Sequence, residues 1–159
     1  MLQDAKLLFD DARTLTAAAT TTLTSTNVIR TGPVHSSNLY RQLGALGKLS
    51  LVTRVDTAFN ATAAATLTAA LLTDNNSGMT STASVLTHIS AVGTGSLTKG
   101  VRFITPLPPG KNYEEYLRVD YTMGTAPFSA GALTTQIVPS DHIDEWYAHA
   151  QATGQDNGF

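Results

Sequence analysis

The chain contains no cysteine, which excludes a disulfide framework, a thiolate metal site and a cysteine nucleophile. Only 14% of its residues are charged and the net charge is −2, so it lacks the basic surface that nucleic-acid binding requires. No apolar run is long enough to span a membrane, and the first residues lack the features of a secretory signal. We therefore expect no direct nucleic-acid or membrane contact, and synthesis in the cytoplasm.

Small residues take the place of the missing charges. About one residue in six is threonine, and alanine is nearly as frequent. Threonine is β-branched and favours the half-buried, pleated surface of a sheet. Because a surface with few charges is weakly repelled by other protein surfaces, it tolerates close and extensive contact. The composition indicates an all-β domain that contacts other protein.

Several short segments alternate apolar and polar residues between turn-forming clusters, as half-buried β-strands do. The clearest case places Leu117, Val119 and Tyr121 on one face. The predicted strands cover residues 14–29, 49–55, 66–73, 84–89, 101–105, 116–122 and 132–138. Seven or eight strands without a fixed-period repeat predict a jelly-roll-like β-sandwich with terminal arms and a short C-terminal helix.

The 159 residues suit one domain with two terminal extensions. We expect an N-terminal arm over residues 1–13, a β-sandwich over 14–139, and a helix or extended arm over 140–159. Both extensions carry large apolar side chains that either cover the sandwich itself or contact a partner. The predicted partner-interface residues are Leu7, Leu8, Phe9, Trp146, Tyr147 and Phe159.

Two of the four histidines are candidate metal ligands together with an acidic neighbour. His142, Glu145 and His149 share one face of a helix if residues 141–152 are helical, a spacing compatible with a divalent metal. A solvated polar face is the simpler interpretation, because no second shell accompanies these side chains. His35 and His88 have no acidic residue close in sequence. We therefore predict no metal and no cofactor.

The cluster Asp74, Asn76 and Gly78 resembles the beginning of a calcium loop. Such a loop needs a bidentate glutamate at its twelfth position, and Val85 occupies that position. A β-turn is the better prediction.

No catalytic constellation emerges from the sequence. The glycines around residues 93–96 do not match a phosphate-binding motif, and no nucleophile-elbow pattern is present. The acidic pairs Asp10-Asp11 and Glu114-Glu115 are adjacent, so on a strand their side chains point to opposite faces. We expect the glutamates to decorate a loop, and we predict that the protein is not an enzyme.

A series of collinear segments resembles the Bbp16-like capsid proteins of tailed bacteriophages. These segments are Leu7-Leu8-Phe9-Asp10-Asp11-Ala12, Thr24-Ser25-Thr26-Asn27-Val28-Ile29 before Gly32, Val55-Asp56-Thr57-Ala58-Phe59, Thr66-Leu67-Thr68 before Leu72-Thr73-Asp74-Asn75, Leu107-Pro108-Pro109-Gly110, Tyr116-Leu117-Arg118-Val119-Asp120-Tyr121 and Phe128-Ser129-Ala130-Gly131. The resemblance runs from about residue 2 to residue 138. Arg30 departs from it, since an acidic residue is expected there, and nothing carries over to residues 140–159.

The resemblance implies a jelly-roll cement or decoration protein without catalytic residues. Such a protein binds the outer surface of the phage capsid and bridges major capsid protein subunits. We expect self-association as a dimer, with a trimer as the alternative. A glycan-binding or host-attachment module of a virion is the alternative function.

Overall fold

A computed structural model describes residues 7–18, 20–31 and 49–143. Nine β-strands account for most of them, and the described part contains no helix of seven or more residues. The strands are β1 (Leu8–Thr14), β2 (Thr22–Thr24), β3 (Ile29–Arg30), β4 (Leu49–Asn60), β5 (Thr66–Asp74), β6 (Ala83–Gly93), β7 (Arg102–Pro106), β8 (Tyr116–Gly124) and β9 (Ala130–Pro139). The predicted all-β class is confirmed.

The strands form two antiparallel sheets that pack as a sandwich. Sheet A has the order β1-β9-β4-β7, and sheet B has the order β2-β8-β5-β6 with β3 also paired to β8. Counting β2 and β3 as one interrupted strand gives two four-stranded sheets. This interleaved order is that of a jelly roll built from two Greek keys.

Alternation along the central strands places the core between the sheets. In β5 and β8 every second residue is buried, including Leu67, Leu71, Leu117 and Tyr121. Their alternate neighbours are only half-buried, on the outer face of sheet B. The predicted strands at 66–73 and 116–122 are therefore confirmed, each with one or two further residues.

Several strand boundaries differ from the sequence prediction. Strand β4 continues past Val55 to Asn60, because Phe59 turns into the core and packs edge-to-face on Phe128 at 4.9 Å between ring centroids. Strand β6 likewise continues past the predicted end at residue 89 to residue 93. In the described residues, the segment predicted as one strand over residues 14–29 instead contains the end of β1, the short β2 and the start of β3. Its intervening residues turn toward β1, where the Asn27 amide donates to the Phe9 carbonyl.

The terminal segments are described only in part. Strand β1 begins inside the predicted N-terminal arm, so residues 8–13 belong to sheet A. After β9 the chain forms a 3-10 turn (Ser140–His142), while most of the predicted C-terminal helix lies outside the described residues. Within the described ranges, no helix is long and apolar enough to cross a membrane.

Candidate binding surfaces

The three predicted interface residues at the N-terminus differ in how deeply they are buried. Phe9 is fully buried in the core, so its side chain cannot contact a partner and that prediction is wrong. Leu7 is half-buried and packs against the same core. Leu8 is half-buried and pairs with Gln136 of β9. The other predicted interface residues, Trp146, Tyr147 and Phe159, lie outside the described residues.

The Asp74 turn uses its oxygens to hold its own backbone. Asp74 Oδ1 accepts a hydrogen bond from the Asn76 amide at 3.0 Å, and Oδ2 accepts one from the Ser81 amide at 2.7 Å. Asn76 Oδ1 accepts from the Gly78 amide at 2.9 Å. Because these oxygens already close the loop, the predicted turn accounts for the whole motif.

The other segments considered as metal or phosphate sites form no binding site in the described ranges. Residues Thr94–Ser96 form a single 3-10 turn, not the start of a phosphate-binding helix. Glu145, His149 and the side chain of His142 fall outside the description. Across the described residues, no group of three potential metal ligands comes together.

Arg30 forms an ion pair at the start of β8. Its Nε donates to Glu115 Oε1 at 2.6 Å, and its guanidinium lies 6.0 Å from the centre of the Tyr116 ring. Glu115 lies in the loop that enters β8, as predicted, but it is only 6% exposed, so it is a buried partner of Arg30 and not a surface group. The Thr31 amide also donates to the Glu115 carbonyl at 2.8 Å. Together, the ion pair and this hydrogen bond hold β3 against β8.

A buried carboxylate joins the two sheets where β1 lies beside the segment between β2 and β3. Asp10 in β1 is 1% exposed, while its neighbour Asp11 is exposed, as the opposite faces of a strand require. Asp10 accepts hydrogen bonds from the Tyr121 hydroxyl at 2.8 Å, the Thr26 amide at 2.8 Å and Arg13 at 3.1 Å. Burial and the charge of Asp10 together raise the pKa of Tyr121 well above its usual value. The phenol therefore stays protonated and remains a donor.

The outer face of sheet B carries many small polar side chains, and we call it the threonine face. Its charged residues neutralise each other, since Arg118 Nε and a terminal nitrogen donate to both oxygens of Asp120 at 2.7 and 3.0 Å. Its hydroxyls also pair, as between Thr22 and Thr122 at 2.9 Å. The threonines of this face are Thr22, Thr24, Thr66, Thr68 and Thr122.

Sequence reasoning missed the threonine face as a surface. The signal was threonine at alternate positions of single strands, as at Thr22 and Thr24 in β2 and at Thr66 and Thr68 in β5. That signal becomes a face only once β8 is placed between these two strands.

The outer face of sheet A is more apolar than the threonine face and less accessible to solvent. Val52 and Val138 are 1% and 2% exposed and form a small cluster with Ile143, separate from the main core. Ile104, paired with Val52, keeps 36% of its surface exposed. With its central residues already buried, this face offers a partner less open surface than the threonine face does.

A family model named Bbp16 matches residues 9–137, which is most of the chain. The chain belongs to the Bbp16 family. Bbp16 is a phage-related family. A search of curated proteins found no match.

The Bbp16 match coincides with the sandwich. It begins at Phe9 in β1 and ends at Ile137 in β9, so it includes residues from all nine strands. Asp10, Glu115 and the threonine face lie inside the matched range. The predicted interface residues outside it are Leu7, Leu8, Trp146, Tyr147 and Phe159. The Bbp16 framework therefore contains the threonine face, whereas the terminal apolar residues lie beyond the match.

Proposed function

We propose that this Bbp16-family protein is a non-enzymatic capsid cement, or decoration, protein. In this proposal it binds the outer surface of a phage head and bridges neighbouring subunits of the major capsid protein. The threonine face carries the proposal, since it is broad, half-exposed and electrically balanced. The phage relation of the family supplies the context.

The physical chemistry of this face suits a large, permanent contact. Burying charged groups costs several kcal/mol unless they are paired, whereas Arg118 and Asp120 already satisfy each other. Hydroxyls that bond to one another, as Thr22 and Thr122 do, lose less solvation when a partner covers them. A typical stable interface buries roughly 800 Å² on each partner, an area that requires such an open sheet face.

The effect of a cement protein on a shell is additive. Ligands that bind only the assembled form stabilise it by mass action. A copy that contacts two subunits also gains from effective concentration, because its second contact is intramolecular. We therefore expect many modest contacts to raise the temperature at which the shell disrupts.

Self-association accompanies this role in the proposal. A two-fold dimer is the expected state, with a trimer as the alternative. Light scattering coupled to size-exclusion chromatography distinguishes a monomer, a dimer and a trimer directly. In the infected bacterium the protein is made in the cytoplasm and ends on the outer surface of the virion.

A matched pair of variants tests the proposed face. Thr22→Glu places a charge on the threonine face, and Thr57→Glu places the same charge at an exposed threonine of β4 in sheet A. In co-sedimentation with expanded shells of the parent phage, we expect Thr22→Glu to weaken binding at least tenfold and Thr57→Glu to leave it unchanged. Equal binding by both variants would reject the threonine face as the contact.

The terminal residues require separate variants. Deletion through Phe9 would remove a core side chain, so Leu8→Ala is the cleaner N-terminal change. We expect Leu8→Ala and Trp146→Ala to weaken shell binding more than they lower the melting temperature of the isolated protein. The reverse order would assign both residues to the stability of the domain alone.

The glycan-binding alternative needs an exposed aromatic platform. Among the described residues, the exposed large hydrophobic side chains are Val28 and Ile104, neither of which is aromatic. Saturable binding on a glycan array, together with failure to bind shells, would favour that alternative.

A further inference from the structure

A buried histidine connects the two sheets at the edge where β6 and β7 lie. His88 belongs to β6 of sheet B and is 8% exposed. Its Nδ1 lies 2.9 Å from the hydroxyl of Thr105 in β7, and its Nε2 lies 3.1 Å from the hydroxyl of Thr53 in β4. Both partners belong to sheet A. One imidazole thus links an edge strand of sheet B to two strands of sheet A.

Thr53 also contacts Thr135 of β9. The two hydroxyl oxygens lie 2.9 Å apart, and either hydroxyl can donate to the other. His88, Thr53 and Thr135 therefore form one hydrogen-bonded row that extends from β6 to β9.

A neutral imidazole satisfies both of these contacts. One ring nitrogen carries a hydrogen and donates, and the other accepts from a hydroxyl, since a threonine hydroxyl can do either. Protonation would put hydrogens on both nitrogens and place a positive charge at a residue that is 8% exposed, with neutral hydroxyls as its hydrogen-bond partners.

No charged side chain of the packed strands compensates an imidazolium at this position. On β4, Arg54 and Asp56 pair with each other, and Asp56 also accepts from Thr134, with all three on the outer side of sheet A. Arg102 of β7 pairs in register with Arg54 on that same side. Burial lowers the pKa of His88 from 6.5 to about 4.

The two strands at this edge contribute unequally to the core. Strand β7 contains no fully buried side chain and pairs only with β4. Strand β6 adds Val85 and Ile89 to the core, but it pairs only with β5, and their register shifts at three points. Local opening occurs most readily where few apolar contacts resist it, and β7 meets that description. His88 therefore contributes a larger share of the contact between β6 and β7 than it would between central strands.

We propose that His88 is an acid-sensitive latch, and that its protonation opens the β6–β7 edge while β8 and β9 remain paired. The neutral imidazole holds the edge strand of sheet B on Thr53 and Thr105 of sheet A. The imidazolium is stable only when the edge separates and admits water. This inference concerns the sandwich itself and does not depend on capsid binding.

Native-state amide exchange of the full-length protein at pH 7 and pH 4.5 tests the latch. The closed edge favours neutral His88, so its stability is complete above pH 6.5 and is lost as the pH falls toward 4. With these two pKa values, the opening equilibrium rises on the order of 50-fold between pH 7 and 4.5. We expect β6 and β7 amides to lose that much protection, through an opening that requires less free energy than exchange in β8 and β9.

His88→Gln is the matched variant, because it keeps a hydrogen-bonding amide and removes the titration. It should abolish the pH dependence of exchange at the edge. A single common protection factor for edge and central strands at pH 4.5, or an unchanged pH dependence in His88→Gln, would overturn the latch.

If His88→Gln does not fold, the imidazole itself is measured. Replacing His35, His142 and His149 by Gln leaves one histidine for NMR titration. A ring that is neutral at pH 7 and titrates below pH 5 supports the latch. Titration near pH 6.5 overturns it.

Discussion

Two buried tyrosines offer a direct test of the carboxylate that joins the sheets at β1. The Tyr121 ring is fully buried, and its hydroxyl donates to Asp10 at 2.8 Å. Tyr121→Phe keeps the ring and removes only the hydroxyl that donates to Asp10. A hydrogen bond to a charged group contributes roughly 1.5–3 kcal/mol, so we expect a loss of about 2 kcal/mol in unfolding free energy. For a domain of this size, that loss lowers the melting temperature by about 4–8 °C.

Tyr113→Phe is the internal control for this prediction. Tyr113 is 1% exposed, and its hydroxyl donates to the neutral carbonyl of Pro108 at 2.9 Å. Burial alone raises the pKa of Tyr113 to about 12, whereas the charge of Asp10 adds to burial at Tyr121. Because its acceptor is neutral, Tyr113→Phe should cost only about 1 kcal/mol.

Urea denaturation, followed by the fluorescence of Trp146, measures both variants, and calorimetry gives the melting temperatures. The expected result is a larger loss for Tyr121→Phe with an unchanged dependence on urea. A loss for Tyr121→Phe equal to or smaller than that for Tyr113→Phe would refute the role assigned to Asp10.

Two further predictions concern turns and close contacts. Gly131→Ala should destabilise the protein by about 3 kcal/mol or more in calorimetry, because a Cβ there would lie 2.3 Å from the Phe59 ring and the φ of +146° is strained for alanine; an unchanged melting temperature would contradict the close packing. Asp74→Ala should cost about 1–3 kcal/mol, since it removes the charged acceptor of the Asn76 and Ser81 amides. Calcium should not change the melting temperature of the wild type, and a calcium-dependent increase would contradict the assignment of this loop as a turn.

Local patterns predicted the strands whose alternation of buried and half-exposed residues is uninterrupted. The alternation in β5 and β8 is complete, because both are central strands with one face on the core and one half-exposed. Their boundaries therefore followed from the sequence within two residues. The sequence predicts an end of β4 at Val55 because Thr57 and Ala58 interrupt the alternation. The register shift after Val55, which returns Phe59 to the core, depends on the pairing of β4 with β9.

The polar contacts could not be found in the same way. Asp10, His88 and Glu115 each meet a partner on a distant part of the chain, respectively Tyr121, Thr53 and Arg30. Hydropathy alone treats such residues as surface groups. The prediction for Phe9 failed for a related reason, since an apolar residue near a chain end fits a core and an interface equally well until its strand is placed.

The central claim is the place of this protein on a phage head, and a residue-level cryo-electron microscopy map of the intact parent phage tests it most directly. The account predicts density for the jelly roll on the outer surface of the shell, with the threonine face against the major capsid protein and each copy touching more than one subunit. A head without this density, or a sandwich found inside the shell or in the tail, would contradict it.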